Sequence, residues 1–115
     1  MNYLTRLIGA TRYSWAGIKA AARSEPAFQT ELLLLPIVIV IAIYLGETTL
    51  EQALLIVSWL FIMVVELLNS AIEAVVDRIG SEQHELSGQA KDLGSAAVLT
   101  ALIITGIIWL VILLN

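Results

Sequence analysis

Apolar positions in this chain are spaced out over the first two dozen residues and then close up into three long runs. Over residues 2–23, Leu4, Leu7, Ile8, Trp15 and Ile18 fall roughly on one side of a helix, with Arg6, Arg12, Lys19 and Arg23 interleaved where they can reach water. A basic amphipathic helix with an aromatic anchor lies in a membrane interface rather than crossing it. A surface helix of a soluble bundle would show the same pattern, and the runs downstream decide between the two. The break Ser24-Glu25-Pro26 ends this helix, because proline disfavours the helical region for the residue before it and then fits the first turn of the next helix.

The first run, 28–45, is uncharged from Leu32 to Leu45 and long enough, with its flanks, for the roughly 20 residues that cross ~30 Å of hydrocarbon. Pro36 inside it is tolerated in membrane helices. Gly46 ends the run, and GETTLE makes a short turn. The second run predicts one helix over 50–76, longer than a bilayer needs, so its C-terminal end should project into the interface. A polar loop is expected over 77–94. The third span is 95–114, with small residues in GSAA and at Gly106 that suit close helix contact. The expected fold is therefore an all-α membrane protein with three transmembrane helices and an N-terminal surface helix, in one domain of 1–115.

Composition sharpens this picture. Hydrophobic residues make up 59% and charged residues 14% of the chain, against about 45–50% and about 25% in soluble domains. The absence of cysteine excludes disulfides and thiolate metal sites, and His84 alone cannot make a multi-histidine site within one chain. A net charge of −4 with no basic stripe argues against nucleic acid. Residues 1–23 have no continuous apolar core, so no cleavable signal is expected. All six Lys and Arg residues fall in the N-terminal segment or in 77–92. By the positive-inside rule both face the cytoplasm, which predicts a multi-pass membrane protein.

Against this background Glu66, Asn69 and Glu73 stand out, because they lie inside the apolar stretch WLFIMVVELLNSAIEAVV. Offsets of three and seven place them on one helical stripe, with the two carboxylates about 10 Å apart along the axis. At that spacing they cannot share a proton, so separate roles are expected. Glu66, the deeper, suits a general base. Glu73, nearer water, suits a hard oxygen ligand for Mg²⁺. Interhelical hydrogen bonding would also account for an amide at this depth. Glu25, at the same membrane face, is either a second metal carboxylate or an acid favoured by a helix N-terminus. In the loop, Lys91 could contact phosphate and Asp92 could cap the third span, or the segment is a solvated connector. Neither GxxxxGK[ST] nor GxGxxG occurs, so a nucleotide site must be built without these loops.

The stretch ELLNSAIEAVVDRIGSEQHELSGQAKDLGSAAV, with the N-terminal RYSWAGIKAA and the acids and phenylalanine of E.AF…E, resembles the signature of the small prokaryotic diacylglycerol kinases. The resemblance covers essentially the whole chain. It implies a homotrimeric helix bundle with sites shared between subunits, transferring the γ-phosphate of Mg-ATP to the hydroxyl of diacylglycerol. It makes Glu66 the general base and Asn69 an orienting amide, and it makes Glu25 and Glu73 the metal ligands. Nucleotide contacts fall to Arg6, Tyr13, Glu25, Glu73, Glu82, Gln83, His84, Lys91 and Asp92. The lipid side falls to Arg6, Tyr13, Ser14, Trp15, Glu31, Glu66, Ser95 and Trp109. Two positions depart from the pattern: Gln83 stands where an aromatic residue is common, and Pro26 follows Glu25 where a smaller, helix-compatible residue is expected. An undecaprenol kinase of the same family is the alternative. A proton-coupled transporter subunit using Glu66 and Glu73 as a relay is a third reading, opposed by the lack of acids in the outer halves of the first and third spans.

Overall fold

The computed structural model describes residues 2–80 and 84–115, and among these it has four helices. Helix α1 (Tyr3–Ser24) starts at Asn2, whose side-chain oxygen accepts a hydrogen bond from the Thr5 N–H at 2.8 Å, satisfying one of the free donors of the first turn. It stops at Glu25, which adopts an extended conformation and is at once the last cap of α1 and the first cap of α2 (Pro26–Leu45). The expected break at this position is therefore a one-residue elbow, with Pro26 at the start of α2 where its missing N–H costs nothing.

Helices α2 and α3 (Thr49–Ile79) form an antiparallel hairpin. The Gln52 side-chain amide donates to the carbonyls of Ile43 (3.1 Å) and Gly46 (3.3 Å), closing the turn. A Cβ on Gly46 would lie 2.8 Å from the backbone nitrogen of Gln52, so only glycine allows so close an approach. Thr48 caps α3 by accepting from the Glu51 N–H at 3.1 Å, and the Glu51 carboxylate accepts in turn from the Glu47 N–H at 3.0 Å. The Glu51 carboxylate and the Glu47 backbone are thus engaged in the turn.

Helix α4 (Glu85–Leu114) runs back along α3. Here the structure corrects an expectation: most of the 77–94 segment is helical, since α3 continues to Ile79 and α4 begins at Glu85. Glu, Leu, Gln, Ala and Lys in 85–94 are good helix formers, and His84 supplies the cap, its Nδ1 accepting from the Leu86 N–H at 3.0 Å. Asp92 therefore lies inside α4 and does not cap it.

Three of the helices, α2, α3 and α4, are long and apolar enough to cross a membrane, and the chain is a membrane protein. Helix α3 is the central element, packed on α2 and α4. Phe28, Met63 and Ala21 form a buried cluster that fixes the elbow against α3. Between α3 and α4, the Thr105 hydroxyl is shared between the Ser58 carbonyl at 3.0 Å and the Ala101 carbonyl of its own helix at 2.9 Å, and the Trp109 indole donates to the Ser58 hydroxyl at 3.1 Å. Of the small residues expected to allow close helix contact, Gly94 is buried against α3, whereas a Cβ on Gly106 would meet nothing within 4 Å.

Candidate active site

Helix geometry decides which side chains can meet. Helices α2 and α3 share the 46–48 turn, so depth can be counted from there at ~1.5 Å per residue. Glu31 and Glu66 then lie about 21 and 26 Å along, and Glu25 and Asn69 both about 30 Å along. Counted the same way from Leu114 of α4, Gly94 is about 30 Å and Lys91 about 35 Å along, beside Glu73 at about 36 Å. The contacts follow these levels. Glu25, Glu31 and Glu73 are the carboxylate neighbours of Glu66, and Glu73 is a charge neighbour of Lys91.

The stripe is graded in exposure as expected. Glu66 is 9% and Asn69 8% exposed, while Glu73 is half-buried. The Asn69 amide nitrogen donates to Glu73 Oε1 at 3.2 Å. A carboxylate only accepts, so this bond turns the Asn69 carbonyl oxygen the other way, towards Gly94. That oxygen is buried without a donor, as is Glu31 Oε1. Glu31 itself is held through its backbone carbonyl, which accepts from the Trp59 indole at 3.0 Å. Buried polar atoms without partners are uncommon in folded proteins, and two of them on neighbours of Glu66 mark a place built for something other than stability.

Glu25 makes no side-chain hydrogen bond to the start of α2, so its carboxylate is not used in capping the helix. It lines an open groove of about 570 Å³ between α1 and α3, together with Ser14, Ile18, Ser24, Leu67 and Ser70. The groove is mainly apolar with a few hydroxyls and one carboxylate, which suits an amphiphile entering from the bilayer. Trp15 is 61% exposed on the same helix.

The polar ends of α3 and α4 stand beyond the ~30 Å of hydrocarbon, since each helix is about 45 Å long. In that region Lys91 Nζ pairs with Asp77 Oδ1 at 2.8 Å. The hydrogen bond and charge of Asp77 hold the Lys91 ammonium above the ordinary lysine range. Reasoning from sequence had not paired these two, because the partnership depends on the α3–α4 register. Arg6, Tyr13, Asp92 and Ser95 are exposed. Trp109, expected on the lipid side, turns its indole N–H inward to Ser58. Glu82 and Gln83 lie outside the described residues.

The donors around Glu66 are all oxygens, which suits a hard divalent cation. Among the described residues no three carboxylate or imidazole groups converge on one point. A cation held by Glu25 and Glu73 would therefore need further oxygens, and phosphates commonly supply them.

The family model described as "Prokaryotic diacylglycerol kinase" matches residues 12–113. A protein of Haemophilus influenzae named "Diacylglycerol kinase" is 56% identical over 106 residues, covering 92% of this chain and 90% of its own length. Its namesake from Escherichia coli strain K12 is 54% identical over 109 residues, covering 95% and 89%. One from Pseudomonas aeruginosa is 49% identical over 112 residues, covering 97% and 91%.

Proposed function

Because the chain belongs to the prokaryotic diacylglycerol kinase family, and is an ATP-using kinase of diacylglycerol, we propose that Glu66 is the general base of the transfer and that Glu25 and Glu73 hold its divalent metal. The observation that carries this reading is the depth order of the acids. Glu31 and Glu66 lie deepest, Glu25 and Asn69 stand at the hydrocarbon edge, and Glu73 lies beyond it. A lipid hydroxyl arrives from the hydrocarbon side and nucleotide from the water side, so the two meet at the level of Glu66 and Asn69.

In the reaction, Glu66 takes the hydroxyl proton as the hydroxyl oxygen bonds to the γ-phosphorus. The bond from that phosphorus to the bridging oxygen breaks, and ADP leaves with the electron pair. A bound divalent cation, Mg²⁺ in this reading, would neutralise charge on the phosphates. The chain's own part is largely positioning. Asn69 fixes Glu73, and the groove beside Ser14 and Trp15 admits the lipid towards Glu25 and Glu66. Lys91 exchanges Asp77 for phosphate. Arg6, Tyr13, His84 and Asp92, with Glu82 and Gln83, complete the nucleotide side. Glu31, Ser95 and Trp109 complete the lipid side. The N-terminus and the cytoplasmic ends of α3 and α4 face the inner side of the inner membrane, by the distribution of Lys and Arg.

Homotrimeric assembly with shared sites belongs to the same reading. Its support is that Arg6, Tyr13 and Asp92 are exposed in the single chain, and that α2–α4 leave most of their apolar side chains uncovered.

The test is lipid phosphorylation in mixed micelles with Mg-ATP, comparing diacylglycerol with undecaprenol. Phosphatidic acid is the expected product, and turnover of undecaprenol alone would reject diacylglycerol as the acceptor. A general base contributes about 10²–10⁴ in rate, so Glu66→Gln should lose activity on that scale while still binding nucleotide. Near-normal turnover would remove Glu66 from the role.

A further inference from the structure

The contact between Gly94 and Asn69 has no part in the roles above, yet it governs one of them. A Cβ built on Gly94 would collide with the Asn69 carbonyl oxygen, and would stand 3.3 Å from its Cγ and 3.8 Å from Ile72 Cδ1. The oxygen thus occupies the volume an alanine methyl would fill. It is buried and has no hydrogen-bond donor. The amide cannot simply turn over, because that would set its oxygen against the Glu73 carboxylate and lose the 3.2 Å bond.

We propose that Gly94 is a positioning residue for phosphoryl transfer: by lacking a side chain it admits the Asn69 oxygen, and so keeps the Asn69 amide nitrogen on Glu73. This rests on the reading of Glu73 as a metal ligand. Outer partners of ligating carboxylates orient them, and their loss weakens metal binding. The clash from alanine falls on the end of a rotatable side chain, and no backbone atom of α3 is among the nearest three. The amide therefore swings away while α3 and α4 stay packed. Glu73 then loses its donor, and the metal site loosens without loss of the fold.

Mn²⁺ binding to the full protein in micelles, with a non-hydrolysable ATP analogue and followed by electron paramagnetic resonance, tests this apart from turnover. Gly94→Ala should weaken Mn²⁺ binding about tenfold, with a matching rise in the Mg²⁺ needed for half-maximal rate. Gly106→Ala, where the new methyl meets nothing within 4 Å, should leave Mn²⁺ binding unchanged. Equal Mn²⁺ binding by Gly94→Ala and wild type would overturn the proposal. So would further weakening when Gly94→Ala is added to Asn69→Ala, since no amide is left to displace, and this pair decides the matter even if Gly94→Ala alone does not fold. Glu73→Gln separates the two levels. If it leaves Mn²⁺ binding intact, the metal reading fails and the proposal with it. If it weakens binding and Gly94→Ala does not, the proposal alone fails.

Discussion

Lys91 shows how much a single residue's surroundings can say. Its ammonium pairs with Asp77 where both side chains are about half exposed or more, and such a pair contributes little to stability. Its position matters more, since Glu73 is close by and the elongated ends of α3 and α4 surround it. Lys91→Ala should therefore raise the KM for ATP about tenfold, on the scale of one charge-assisted contact, with kcat changed less. An unchanged KM with unchanged stability would make the residue a solvated connector after all. Glu66, Asn69 and Glu73 were legible as a stripe, because acids in an apolar run are conspicuous and helical spacing is fixed. The pairing of Lys91 with Asp77 was not legible, and neither was the fit of Gly94 on Asn69. Both depend on how far α4 slides along α3, which no local pattern encodes.

That sliding is set by contacts between α3 and α4. Ser58 and Thr105 lie at the same level, about 14 Å from the outer ends of their helices, and Trp109 reaches the Ser58 hydroxyl from the next turn. Interhelical bonds of this kind average about 0.6 kcal/mol in lipid, with a maximum of about 1.7. Thr105→Val should cost about that much in a denaturation curve measured in micelles. It should also loosen the register that brings Gly94 to Asn69, so the Mg²⁺ requirement should rise along with the loss of stability. A change in stability with no change in metal requirement would show that the register is held elsewhere. The helices were readable from hydropathy, and the break at Glu25 from Pro26. The expected 77–94 loop was too long because the first turns of α4 are polar, and polar residues beyond the bilayer read as loop even when they are good helix formers.

For the molecule as a whole, sequence yielded the three spans and the surface helix, while the meeting of Glu25, Glu31, Glu66 and Glu73 needed the packing of α1 and α2 on α3. Asp92 is exposed in the single chain, and a site shared between subunits predicts complementation. Subunits with Glu66→Gln and subunits with Asp92→Asn, each inactive alone, should recover about a quarter of wild-type activity when mixed one to one, the share of random neighbours that combine both intact groups. No recovery at any ratio would confine each site to one subunit. The elbow between α1 and α2 has a mechanical meaning for this enzyme. One residue joins the two helices, and that residue is the carboxylate Glu25, so the joint has no slack. When α1 rolls or lifts from the bilayer, Glu25 must turn with it. The orientation of α1 is thereby coupled to the placement of the Glu25 carboxylate beside Glu66.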